Sequence, residues 1–187
     1  VSEKITRFQD IPQFTKQGSW ECDFQLDGLW HQVVKWQEED GLDLDPYFQR
    51  AHVWTESQQI AWLEFFLRGG KSGRVLFFNH PGWFRDWKGT PVIVDGKQRL
   101  EAIRRFIHDE IRVFGSLRSE FTDTLRMTHT MKLNMNDLRT RAEVLQWYVE
   151  FNSGGTPHTI EEIDRVRELL AKERADSSTE EGKESGK

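Results

Sequence analysis

Apolar positions along the chain fall into short blocks whose period switches between two and three to four, so elements can be placed before any chemistry is considered. Residues 29-LWHQVVKWQEE-39 read as a short amphipathic helix. Upstream of it, 17-QGSWECDFQLDG-28 predicts a hairpin or loop, and downstream 42-LDLDPYFQRAHVWT-55, with Pro46, predicts an extended or irregular stretch. T-E-S-Q at 55–58 is a capping-box pattern, so a helix begins at Thr55. Ile60, Leu63, Phe66 and Leu67 form its apolar face, and Gly69-Gly70 ends it. The run 74-RVLFFN-79 predicts a buried strand, 80-HPGWFRDWKGT-90 a loop, and 91-PVIV-94 another strand.

Leu100, Ile103, Phe106 and Ile107 mark the following helix. Beyond it, 111-IRVFG-115 and 130-TMKLNM-135 predict strands that pair in a meander, and residues 139–151 predict a helix. The loop 152-NSGGTPH-158 breaks that helix, and T-I-E-E from Thr159 caps a last one running to about Ala175. From Asp176 the sequence DSSTEEGKESGK has no aromatic or β-branched aliphatic residue, which predicts a disordered tail at 176–187 behind one domain at 1–175. No internal repeat is present.

Composition narrows the chemistry. A net charge of −5 leaves no overall basic field, so any nucleic-acid contact must be local. The single Cys22 excludes a disulfide framework and a multi-cysteine zinc site. No segment is apolar and long enough to span a membrane, and no signal-peptide pattern opens the chain, so a cytoplasmic protein is expected, in the host cytoplasm if phage-encoded.

The junction 94-VDGKQRLEAI-103 carries the most specific chemistry. A helix that begins directly after a buried strand offers free backbone N–H groups and the positive end of its dipole. Gly96 lets a phosphate approach the backbone, Arg99 can fork onto its oxygens, Lys97 adds a point charge and Gln98 an amide. Asp95 could hold a divalent metal or take the proton of an attacking hydroxyl. Taken alone, an Asp-Gly turn flanked by solvated cations fits as well. Two other stretches bear on that choice: 49-QRAHVW-54, a Gln-Arg pair between aromatics, and 151-FNSGGTPHT-159, where Asn152 precedes a glycine-rich loop. Each alone also fits a surface arginine and a helix end with its linker.

Together and in this order, QR-x-x-x-W, DG-x-QR and FN-x-GGTP resemble the DGQQR-containing family of ParB-like domains, which includes GmrSD-type restriction proteins that attack modified phage DNA. The resemblance runs from about Leu44 to Leu170. It implies an α+β single domain of ParB/sulfiredoxin-like fold, a small mixed sheet with flanking helices, that binds a nucleotide and uses its phosphates. It further implies that Asp95, Gln98 and Arg99 carry the chemistry. Gln49, Arg50, Gly96, Lys97, Asn152, Gly154, Gly155 and Thr156 would surround the nucleotide. Lys97 departs from the glutamine more usual in the family.

The restriction proteins use a second, HNH-type nuclease domain, for which this chain has no room. His31, His52, His80, His108, His129 and His158 are scattered, and only His52 and His158 fall inside the motifs. Relatives in the wider superfamily transfer the γ-phosphate of ATP to an acceptor oxygen, a reaction that positioning, an arginine and Mg²⁺ can support. A P-loop is absent, since 69-GGKSGR-74 lacks the spacing. The expected activity is therefore an NTP-dependent phosphotransferase using ATP or a related NTP with Mg²⁺ at Asp95. The acceptor implied by the family's phage-DNA setting is a hydroxymethylated base. Lys71, Arg74, Arg85 and Lys88, interleaved with Trp83 and Trp87, would contact that DNA. Packing of these aromatics under a long loop is the alternative. An NTPase sensor working with a separate nuclease, and a non-catalytic ParB-like binder, are the other function classes.

Overall fold

The computed structural model describes residues 4–13, 19–49, 53–126, 128–153 and 160–184. Among these residues four strands, β1 (Trp20–Gln25), β2 (Val75–Asn79), β3 (Val92–Asp95) and β4 (Thr130–Asn136), form one sheet in the order β1-β4-β2-β3. β1 runs antiparallel to β4, β4 parallel to β2, and β2 antiparallel to β3. The described residues form a mixed α+β domain with a small sheet and five α-helices: α1 (Leu26–Asp40), α2 (Glu56–Leu67), α3 (Lys97–Ile107), α4 (Arg141–Ser153) and α5 (Ile160–Glu184).

Alternation along the strands divides the core in two. Leu76, Phe78, Ile93 and Leu133 join the buried faces of α1, α2 and α3 in one cluster. Phe77, Val92 and Val94 join α4 and α5 in the other. α1 buries Leu26, Leu29, Val33 and Trp36, spaced as one helical face requires, and stops at Gly41 in the left-handed region (φ 68°). The capping box at the start of α2 forms as the sequence predicts, Thr55 accepting from Gln58 N–H and Gln58 returning the bond. Outside β3, Asp43 N–H donates to Pro91 O (2.9 Å) and Ile93 N–H to Asp43 O (3.0 Å), so segment 42–49 begins along the sheet's edge and protects it.

Three expectations need correction. Trp20–Gln25 is a strand rather than a hairpin or loop, and it supplies the outer partner of β4. The expected strand 111–115 is a tight turn: Phe114 (φ 53°) and Gly115 (φ 78°) are left-handed, and Val113 bridges only Ser116. Its buried Ile111 and Val113 imitate a strand's apolar pattern without a neighbouring ladder, and β4 pairs with β1 and β2 instead of with a meander partner. Finally, α5 continues to Glu184, past the predicted end near Ala175. Extending an existing helix costs far less than starting one, so a polar stretch without proline can follow on, although Arg174–Asp176 are exposed.

Candidate functional site

The junction between β3 and α3 is built around Gly96, which caps the helix with φ 103°. A Cβ there would stand 2.3 Å from Leu76 Cδ2 and 3.4 Å from its Cα, so both conformation and space require glycine. Two polar residues that follow it are engaged with the segment that precedes α2. Gln98 Oε1 accepts from Val53 N–H and Trp54 N–H, each at 3.0 Å. Lys97 pairs with Asp45. From the opposite direction, Gln49 Nε2 donates to Ile93 O at 2.7 Å. Both flanks of the Gln-Arg motif are thus tied to the strand and helix that carry DGKQR.

The third motif approaches through the sheet. Phe77 is the β2 partner of Asp95, and Phe151, at the end of α4, packs edge-on against Phe77 at 4.7 Å. Asn152 belongs to the last turn of α4, but its side chain lies outside the described residues, as do Arg50, His52, Gly154, Gly155, Thr156, His158 and the Thr159 cap. At the same junction Arg99 pairs with Asp95, their side chains 16% and 27% exposed, so solvent reaches both. Gly73 sits against the Arg99 guanidinium, and the exposed Lys71 is on the same turn. A second arginine-containing cluster, Arg104 with Glu101 and Glu110, lies further along α3. Those hydrogen bonds raise the Arg104 guanidinium above its already high range and hold Glu110 below the usual carboxylate range.

The basic, tryptophan-rich loop is divided: its first residues, His80 to Trp83, are buried or half-buried, and 84–90 are exposed. Trp83 is half-buried among Trp20 (5.2 Å), Trp36 (5.8 Å) and Trp87 (4.5 Å), where it adds to the first core cluster. Gly82 lies so close to Lys88 that a Cβ would be 2.5 Å from its backbone nitrogen, which fastens the loop on itself. Arg74 is engaged by the carbonyls of Gly70, Phe66 and Thr128, with its guanidinium over the Phe66 ring. It closes the α2–β2 turn. Arg85 reaches toward the buried Asp137 at 3.9 Å, and Lys88 toward Asp86 at 3.8 Å. Trp87 and Lys88 are exposed, and they remain on the outer surface of the loop. A tryptophan count and interleaved cations could not separate these two environments.

Sequence reasoning passed over two buried polar residues at the ends of the parallel strands. Asn79 exchanges two hydrogen bonds with the backbone of Leu138, Oδ1 accepting from N–H (2.8 Å) and Nδ2 donating to O (2.9 Å). His80, 1% exposed, accepts at Nδ1 from Gly82 N–H (3.1 Å), which leaves the proton on a buried Nε2 that has no partner among the described residues. Burial pushes its imidazole below the usual 6.5, against the pull of Asp40 and Asp86. The unfolded chain therefore binds this proton at a higher pH than the native one, so the His80 contribution to stability is complete above about 6.5 and falls as pH drops below it. His129 is lowered too, by burial and by Arg126 and Arg74, and acts in the same sense. Melting temperatures between pH 7.5 and 5 should fall, and less steeply in His80→Asn, whose amide oxygen can replace Nδ1 as acceptor. An identical slope in the variant would remove His80 from the explanation.

Among the described residues no group of three His, Cys, Asp or Glu side chains is arranged to hold a metal. No helix of the described chain is long and apolar enough to cross a membrane. The chain matches no protein-family model, no curated protein and no solved structure.

Proposed function

We propose that the chain is a nucleotide-dependent phosphotransferase that moves a phosphoryl group from ATP or a related NTP to a hydroxyl acceptor. The observation that carries this reading is the meeting of the three motif segments at the β3–α3 junction, through Gln49 on Ile93, Gln98 on Val53 and Trp54, and Phe151 on Phe77, with the solvent-accessible Asp95–Arg99 pair at that junction. A fold of ParB/sulfiredoxin-like type accounts for the same order of motifs. Arriving phosphate oxygens compete with Asp95 for the Arg99 fork, so nucleotide binding releases the carboxylate. Asp95 then accepts the proton of the attacking hydroxyl. The acceptor oxygen bonds to the γ-phosphorus as its bond to the nucleoside diphosphate breaks, and the diphosphate leaves with that electron pair. Mg²⁺, which commonly uses one or two carboxylates together with substrate phosphates, would be held by Asp95 and would neutralise phosphate charge.

The acceptor reading is a hydroxymethylated base in DNA, with Trp87, Lys88, Arg85 and Lys71 as the contacts left on the surface. The protein is to be incubated with γ-labelled ATP, Mg²⁺ and hydroxymethylated DNA. Label on DNA is the expected result; free phosphate instead would make the chain an NTPase, and unconsumed nucleotide would overturn the enzyme assignment. Arg99→Ala should weaken nucleotide binding by about 1.5–3 kcal/mol, the worth of a charge-assisted contact, in a titration with folding followed by circular dichroism. Unchanged affinity in a folded variant rejects Arg99 as a nucleotide contact.

A further inference from the structure

A cavity of about 420 Å³ lies between the C-terminal end of α2, the end of α3 and segment 114–129, on residues separate from the β3–α3 junction. Phe106, Phe114 and Phe121 supply its apolar wall. Arg68, Arg118 and Arg126 line it against a single carboxylate, Asp123, in a chain whose net charge is −5. Its polar groups are only partly satisfied among the described residues. Among the described residues Arg118 gives one Nη to Asp27 at 2.9 Å while its buried Nε finds no partner, and the buried Nδ1 of His129 has none either. Arg68 and Arg126 are exposed and make no ion pair among the described residues.

We propose that this cavity binds a small aromatic anion, a planar ring system bearing a carboxylate, sulfonate or phosphate. The phenylalanines would take the ring, which gains from apolar burial and from edge or offset contacts with aromatic side chains. Arg68 and Arg126 would fork onto the anionic group from the rim, where each guanidinium is free to turn. Size and lining suit the usual small-molecule site, concave and largely apolar with a few polar groups that set orientation. The inference does not depend on the phosphotransferase reading, since the two sites share no residue.

The test is a fluorescence titration of the full chain with 1-anilinonaphthalene-8-sulfonate, checked against its uncharged parent, N-phenyl-1-naphthylamine. Saturable binding at one site is expected, displaced by phenyl phosphate, and roughly tenfold weaker in Arg68→Gln and in Arg126→Gln, as loss of one charge-assisted contact implies. Both substitutions are on exposed side chains, and unchanged melting temperatures certify the fold. Equal affinity in the two folded variants would overturn the proposal, as would equally tight binding of the uncharged dye.

Discussion

Asn79→Ala is expected to destabilise the protein by roughly 2–5 kcal/mol, because one substitution strips two buried backbone groups of their partners. Leu138 is buried, and its N–H and C=O are both satisfied by the Asn79 amide. Each orphaned group carries a desolvation penalty, and alanine can neither donate nor accept. For a domain whose total stability is typically about 5–15 kcal/mol, such a loss is large, and it should lower the melting temperature by roughly 10 °C. Asn79→Asp should not restore it, since a carboxylate offers acceptors only and is charged in a buried position. Arg139→Ala, at an exposed position one residue beyond Leu138, is the comparison and should stay within about 0.5 kcal/mol. A cavity of about 360 Å³ is lined by Asn79 and Leu138 and gives water a possible place beside them. A loss below about 1 kcal/mol would show that water replaces the amide there and would defeat the prediction.

Asp95→Asn is expected to lower turnover by about 10²–10⁴-fold, the usual worth of a positioned general base. Asparagine keeps the shape but cannot take the acceptor proton. Its effect on stability should be small, about 1 kcal/mol, because the pair with Arg99 is partly exposed and screened. The exchange Asp95→Arg with Arg99→Asp separates the two roles. It retains opposite charges at the two positions and should recover much of the lost stability, while turnover stays low because the base no longer ends the strand and the phosphate fork no longer sits on α3. Wild-type turnover in Asp95→Asn, or turnover returning together with stability in the exchanged pair, would make Asp95 a structural counter-ion only. Unchanged nucleotide binding with lost turnover would place the defect in the chemical step.

Much of the helical structure was legible because each helix carries its own signals. The Thr55 capping box and the apolar face behind it depend on residues within one or two turns. β2 and β3 were legible from their apolar runs, and Gly96 at the turn from the chemistry of the Asp-Gly junction. The segment 111–115 was misread because buried Ile111 and Val113 look like strand residues whether or not a partner strand lies beside them. β1 was missed for the converse reason. Its alternation Trp20, Glu21, Cys22, Asp23 is weak in isolation and becomes a strand through its ladder to β4, more than a hundred residues away in sequence.

The same distinction governs the candidate site. Local sequence determined that a glycine-capped helix start with Asp95, Lys97, Gln98 and Arg99 follows a buried strand, because turn geometry and helix initiation are short-range. Only the tertiary structure decided what those side chains touch: Gln98 holds Val53 and Trp54, Lys97 meets Asp45, and Arg99 returns to Asp95. It also drew Trp83 into the core and turned Arg74 onto three carbonyls, although their sequence surroundings match those of the exposed Trp87 and Lys88. Burial and hydrogen-bond partners come from chain segments distant in sequence, and a local pattern of residue types holds no record of which segment will arrive.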